Sequence, residues 1–210
     1  MIKNIIFDLD GVLFDGRGFH AKMFLEAVRR IVPNTSVTED YHEKHLDSLP
    51  TKEKLKRLGF DENISKQIYD LKQDITAKNI KEYVMPDIKV IDICDRLIAL
   101  GYKLFCVSNS IRPTVETCLT GMGVIDFFSG IISNQDTAEA KPSPEPYLTL
   151  YRNYNLDPKE SLILEDSPHG IESARKSGGN VLAVKDCNDV SIERIISEIK
   201  NVEYKYNITV

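Results

Sequence analysis

Short, largely apolar runs of strand length recur along the chain at Ile5–Phe7, Leu104–Val107, Gly130–Ser133, Leu162–Leu164 and Val181–Val184. Apolar residues follow one another in these runs instead of alternating with polar ones, the pattern of strands buried on both faces in a parallel sheet. Helical patterns lie between them. Asp87–Leu100 carries Ile88, Ile91, Leu97, Ile98 and Leu100 and stops at Gly101, where a glycine C-cap is expected. Arg112–Leu119, Pro144–Tyr154, Pro168–Lys176 and Val190–Ile199 read as further helices, and Pro144 and Pro168 open theirs where a first turn tolerates proline. Strands alternating with helices imply an α/β fold, a Rossmann-like doubly wound parallel sheet.

One interval breaks that rhythm. From about Asp15 to Met85 the periodicity is helical only, as in Phe19, Met23, Ala27 and Ile31. A crossover between parallel strands needs only about 10–15 residues, so the interval reads as a helical insert that leaves after Gly11 and returns near Pro86. The expected division is residues 1–14 with 86–210 as the α/β core and 15–85 as a helical domain inserted after the first strand. Within the insert, "KEKLKR" at 52–57 reads as a solvated helix face, because acidic residues interrupt and surround it. At the C-terminus, the apolar residues of "NVEYKYNITV" alternate in a way that suits an added edge strand.

Composition narrows the partners. A chain of 210 residues, 42% hydrophobic, can bury one substantial core or one core with a smaller unit. A formal net charge of −5 argues against a nucleic-acid or membrane-surface binder, which needs a positive field; a small metabolite is the expected partner. Cys94, Cys106, Cys118 and Cys187 are far apart with no C-x-x-C spacing, and are read as reduced thiols. The N-terminus shows no signal-peptide pattern, and no apolar run approaches the ~20 residues of a membrane span. A cytoplasmic protein is expected, as a monomer, with a dimer as the alternative.

In an open α/β sheet, function collects at the carboxyl ends of the strands. Asp8-Leu9-Asp10-Gly11 follows the first strand, Ser108-Asn109-Ser110 the second and Glu165-Asp166 the fourth, while Lys141-Pro142 lies between the third strand and its helix. Each alone reads as a cap, a turn or a solvated loop. Together, Asp8, Asp10, Glu165 and Asp166 bring negative charges into one crevice, where like charges raise one another's pKa unless a cation joins them. A set of hard oxygens without histidine or thiolate selects Mg²⁺. Lys141 supplies a second positive charge, and Ser108 with nearby backbone N–H groups can donate to phosphate oxygens. Asp8 is then a nucleophile toward phosphorus, and Asp10 protonates the leaving alcohol and later activates water. Gly11 permits the sharp turn between them.

These residues resemble the haloacid dehalogenase superfamily, in its branch of small-metabolite phosphatases and β-phosphoglucomutase-like enzymes. The resemblance runs through "DLDGVLFD" at Asp8–Asp15, "VSNS" at Val107–Ser110, "KPSPEPY" at Lys141–Tyr147 and "ILEDSPHGIESARKSG" at Ile163–Gly178. It implies Asp8 as nucleophile, Asp10 as general acid/base with its backbone carbonyl on Mg²⁺, and Ser108 as phosphate ligand. Lys141 would neutralise nucleophile and phosphate, Asp166 would bind Mg²⁺, and Glu165 would assist directly or through water. Asn109 would contribute a backbone donor. The insert corresponds to the family's cap, which closes over the crevice and selects the substrate; His20, Lys52 and Lys72 are its candidate substrate contacts. Asp15-Gly16-Arg17-Gly18 departs from the serine, threonine or bulkier residues common at this hinge, which weakens a mutase assignment; Arg17, able to reach the cleft, more often would be solvated.

The leading expectation is a Mg²⁺-dependent phosphatase acting on a small phosphorylated metabolite such as a sugar phosphate, through an aspartyl-phosphate. The alternative is a phosphosugar mutase, in which sugar instead of water reaches the same intermediate. A dehalogenase has no use for Asp10 or a magnesium site. A phosphorylatable signalling receiver shares the acidic cluster, hydroxyl and lysine but not the order of the motifs or the insert. A non-catalytic binding protein on the same fold is the remaining reading, and the completeness of the charged set speaks against it.

Overall fold

The structure, a computed structural model, describes residues 1–46 and 49–208. It divides into two compact units, Met1–Asp15 with Val84–Val210, and Gly16–Tyr83. In the first, β1 (Asn4–Phe7) is followed, beyond the second unit, by α5 (Ile88–Ala99), β2 (Lys103–Val107), α6 (Arg112–Gly121), β3 (Phe128–Ile132) and α7 (Glu145–Tyr154). The chain then continues through β4 (Ser161–Glu165), α8 (Pro168–Lys176), β5 (Asn180–Ala183) and α9 (Ile192–Ile208). The sheet is parallel throughout, in the order β3-β2-β1-β4-β5. It is the expected Rossmann-like α/β architecture.

Central position explains the composition of β1. Ile6 is in register with Phe105 on β2 and Ile163 on β4, and all are buried against Tyr147, Leu150 and Tyr151 of α7 and Ala174 of α8. Residues on either face of such a strand meet a helical layer, so both must be apolar. Each fully buried aliphatic or aromatic side chain contributes roughly 1.5–3 kcal/mol. Local signals end the helices as the pattern implies: Asp87 accepts from the backbone N–H groups of Lys89 and Val90 at the start of α5, and Gly101 takes φ +88° just after its end.

Where the structure departs from pattern, a tertiary cause is visible. β3 begins at Phe128 and not at Gly130 because it is an edge strand with half-exposed positions, so its apolar run is broken. It stops before Ser133, whose N–H and hydroxyl both donate to Asp136. The C-terminal segment is not an edge strand: α9 continues through Ile208, and residues 209–210 lie outside the described part. Ile195, Ile199 and Val202 are buried at helical spacing, while Tyr204, one of the alternating apolar residues, is 69% exposed.

The second unit comprises α1 (Arg17–Ile31), α2 (Glu39–His45), α3 (Thr51–Arg57) and α4 (Glu62–Tyr83). Phe19, Met23 and Ala27 on α1 and Ile68, Ile75 and Ile80 on α4 are buried, and the Phe19 and Tyr83 rings lie 4.6 Å apart. The basic run on α3 is not wholly solvated. Lys54 is buried, its ammonium donating to Nε2 of His42 at 2.8 Å and lying 5.3 Å from the Phe24 ring. Among the described residues no helix is long and apolar enough to cross a membrane.

Burial differences predict stability differences. Leu104→Ala, at a fully buried position of β2, is expected to cost about 2–5 kcal/mol. Ile88→Ala, at a position 83% exposed on α5, is expected to change stability by less than about 0.5 kcal/mol. Urea unfolding of the two variants beside the parent protein measures both.

Candidate active site

The site is assembled from loops at the carboxyl ends of β1, β2 and β4, with a lysine from the segment before α7. β1 ends as the Asp8 N–H donates to the Leu164 carbonyl. The chain then turns back: the N–H groups of Leu13 and Phe14 donate to the Leu9 carbonyl and that of Gly11 to the Phe14 carbonyl. Gly11 has φ +87°, and a Cβ there would collide with the Asp166 carboxylate. The glycine thus allows both the turn and the close approach of Asp166 to it.

After β2, the Ser108 hydroxyl accepts from the Ser110 N–H at 3.0 Å, and the Ser110 hydroxyl donates to Oδ2 of Asp10 at 3.1 Å. The Asn109 side chain clasps the backbone of Lys141: its Oδ1 accepts from the Lys141 N–H at 3.0 Å, and its Nδ2 donates to the Lys141 carbonyl at 3.3 Å. That side-chain role is additional to the backbone donation that the family resemblance implies.

Lys141 is the centre of the charge arrangement. It is only 4% exposed, and its ammonium donates to Asp8 Oδ1 at 2.8 Å, to Glu165 Oε1 at 2.5 Å and to the Val107 carbonyl at 2.7 Å, which uses all three of its protons. Burial alone would push the lysine down, but Asp8 and Glu165 beside it raise its pKa above the ordinary value, so it stays charged. Burial pushes the Asp8 carboxyl well up, Glu165 and Asp10 push it further, and Lys141 opposes them. Tyr147 donates its phenol to Glu165 Oε1 at 2.7 Å.

Asp8, Glu165 and Asp166 each offer a carboxylate oxygen within 4.8 Å of the others. Oε2 of Glu165 is buried and has no hydrogen-bond partner among the described residues. An orphaned buried anionic oxygen next to two further carboxylates fits a small hard dication, and a trio without nitrogen or sulfur favours Mg²⁺ over transition metals. The Asp10 carboxylate lies outside this trio, which leaves its backbone carbonyl as the ligand the resemblance implies.

The structure therefore brings together Asp8, Glu165, Asp166 and Lys141, with Ser108, Asn109 and Asp10 linked to them through the β2 loop. His20, Lys52 and Lys72 lie in the other unit, on α1, α3 and α4. The His20 ring stacks edgewise on Phe19, the Lys52 ammonium lies 5.8 Å from the Tyr69 ring, and Lys72 is buried. Two contributors escaped the sequence reading. Ser110 is the second serine of "VSNS", and Tyr147 closes "KPSPEPY", but side-chain partners in distant loops have no local signature.

Residues 5–184 match the family model described as haloacid dehalogenase-like hydrolase. The chain belongs to this family. A pyrophosphatase PpaX of Oceanobacillus iheyensis is 28% identical over 211 residues, 96% of this chain and 95% of the relative. A phosphorylated carbohydrates phosphatase of Thermotoga maritima is 25% identical over 186 residues, 84% and 82% of the two chains. Among solved structures, a HAD hydrolase, family IA, variant 3, of Entamoeba histolytica superposes with a TM-score of 0.78 at 19% identity, covering 95% of this chain and all of that one; at that identity the likeness is one of fold.

The buried charges of this haloacid dehalogenase-like site make a testable demand. Lys141→Met leaves Asp8 and Glu165 without their counter-charge and is expected to cost about 3–5 kcal/mol near neutral pH. Asp8 is already raised by burial, and losing Lys141 raises it further. A carboxyl raised on folding contributes stability that is full below its unfolded pKa and lost as pH rises through its folded value. The deficit of the variant should therefore shrink as pH is lowered from about 8 toward about 5, measured by urea unfolding in buffer with a chelator.

Proposed function

We propose that this hydrolase is a Mg²⁺-dependent phosphatase that cleaves small phosphorylated metabolites, a sugar phosphate being the favoured substrate, through an aspartyl-phosphate on Asp8. The observation that carries the reading is the Lys141 ammonium donating to both Asp8 and Glu165 in a pocket of carboxylates. The activities named for the two relatives, on pyrophosphate and on phosphorylated carbohydrates, support the substrate class.

In this reading each residue acts at a stated atom. Lys141 holds Oδ1 of Asp8, which leaves the other oxygen for attack on phosphorus. As that P–O bond forms, the ester P–O bond breaks, and Asp10 gives its proton to the leaving alkoxide. Asp10, now a base, takes a proton from water as the water attacks the phosphoryl group; the P–O bond to Asp8 breaks, inorganic phosphate leaves and both aspartates are restored. The Ser110 hydroxyl on Asp10 Oδ2 orients it for these transfers. Ser108 and Asn109 bind the equatorial phosphoryl oxygens, and the Lys141 ammonium, committed to Asp8, Glu165 and the Val107 carbonyl, offsets through its charge the negative charge spread over them in the transition state. Bound by Asp8, Glu165, Asp166 and the Asp10 carbonyl, Mg²⁺ would supply charge neutralisation at the phosphoryl group.

The helical unit is proposed as the cap that governs which ester is accepted, with His20, Lys52 and Lys72 as its contacts to the remote end of the substrate. Assays of phosphate release from a panel of sugar phosphates, other phosphate monoesters and pyrophosphate test the assignment. Turnover should vanish on chelation and return with Mg²⁺. Asp8→Asn should lower kcat by on the order of a thousandfold or more in protein that keeps the parent circular dichroism spectrum and still unfolds cooperatively. Parent-level turnover in Asp8→Asn would reject Asp8 as the nucleophile, and isomerised sugar phosphate without phosphate release would favour a mutase.

A further inference from the structure

Glu165 is used lopsidedly. Oε1 accepts from both Lys141 and Tyr147, at 2.5 and 2.7 Å, whereas Oε2 accepts from nothing among the described residues. The carboxylate also rests against Gly170, where a Cβ would collide with it. It is fully buried, so bulk solvent does not reach it.

Tyr147 supplies one of the two donors. It sits in the first turn of α7, fully buried, with its ring among Ile6, Phe105, Val107 and Ile163. Phenylalanine would fill the same apolar space, so packing accounts for the ring and not for the hydroxyl. The ring also lies 5.1 Å from the Lys141 ammonium. Burial and the neighbouring Glu165 raise the Tyr147 phenol well above its ordinary value, so it remains a neutral donor.

We propose that Tyr147 is a positioning residue: by sharing Oε1 of Glu165 with Lys141, its hydroxyl holds the carboxylate in one rotamer, with Oε2 reserved for the divalent cation. This rests on the reading that the site works with Mg²⁺. It has a second consequence. With Tyr147 donating, Glu165 draws less strongly on the Lys141 ammonium, which stays extended to Asp8. Without the hydroxyl, Lys141 is pulled toward Glu165 and the carboxylate can turn, so both the cation site and the nucleophile lose alignment.

Tyr147→Phe in the full chain tests this. Calorimetric titration of metal-free protein with Mg²⁺ should show Kd raised roughly tenfold or more. At saturating Mg²⁺, kcat on the best ester of the panel should fall by a similar factor while KM stays within about twofold. The effect should pass through Glu165: in a Glu165→Gln background, Tyr147→Phe should weaken Mg²⁺ binding no further. A parent-like Kd and kcat in Tyr147→Phe, or full additivity in the double variant, overturns the proposal. Should the variant not fold, ¹³C-labelled tyrosine in the parent protein decides: the Tyr147 ring resonance must shift as Mg²⁺ is added, and an unmoved resonance overturns the proposal. A parent protein that binds no Mg²⁺ overturns the function reading and this one with it. Parent binding unaltered by the substitution overturns this one alone.

Discussion

The site depends on one buried ammonium between two buried carboxylates. Asp8 and Glu165 are 8% and 0% exposed, and two anions so far from water repel each other strongly unless something cationic stands between them. Lys141 does so with every proton committed, the third to the Val107 carbonyl at the end of β2. That third bond ties the charge balance to the sheet. The Asn109 clasp on the Lys141 backbone ties it to the neighbouring loop as well. The alignment of the site's carboxylates and local stability thus rest on the same few bonds, and Asp166 and the orphaned oxygen of Glu165 leave an excess of negative charge suited to a dication.

The sheet order makes this possible. With β1 in the centre and β2 and β4 on either side, the chain runs to one flank and then returns to the other, and the loops after these three strands open onto one crevice. Asp8 and Lys141, 133 positions apart, meet there, as do Asp10 and Ser110, 100 apart. A parallel sheet points every strand's carboxyl end the same way, so a residue placed just after a strand is delivered to the site whatever its distance in sequence.

Much of this was legible beforehand, for a local reason. Strands such as 162–164 are buried on both faces and announce themselves as unbroken apolar runs, and the polar residues that end them stand out by contrast. The edge strand β3 is half-exposed and its first two residues were missed. The alternation over 202–208 imitated a strand while Ile195, Ile199 and Val202 already marked a helical stripe. Lys54 was read as solvated because charge is a surface signal. Its burial beside His42 depends on α2 and α3 being brought together, which no window of sequence contains.

The sequence alone determined the chemistry that is available: carboxylates and hydroxyls set at strand ends, with a lysine between the third strand and its helix, in an order that a parallel α/β fold places on one side. Tertiary structure decided how that chemistry is apportioned. Which oxygen of Glu165 is saturated, that Tyr147 reaches it, that Ser110 holds Asp10, and that Asn109 uses its side chain on Lys141 are all set by contacts between segments far apart in sequence. Residue type and spacing carry the identity of a donor or acceptor, but hydrogen-bond partners are fixed only when packing removes water and leaves each buried group the neighbours it has.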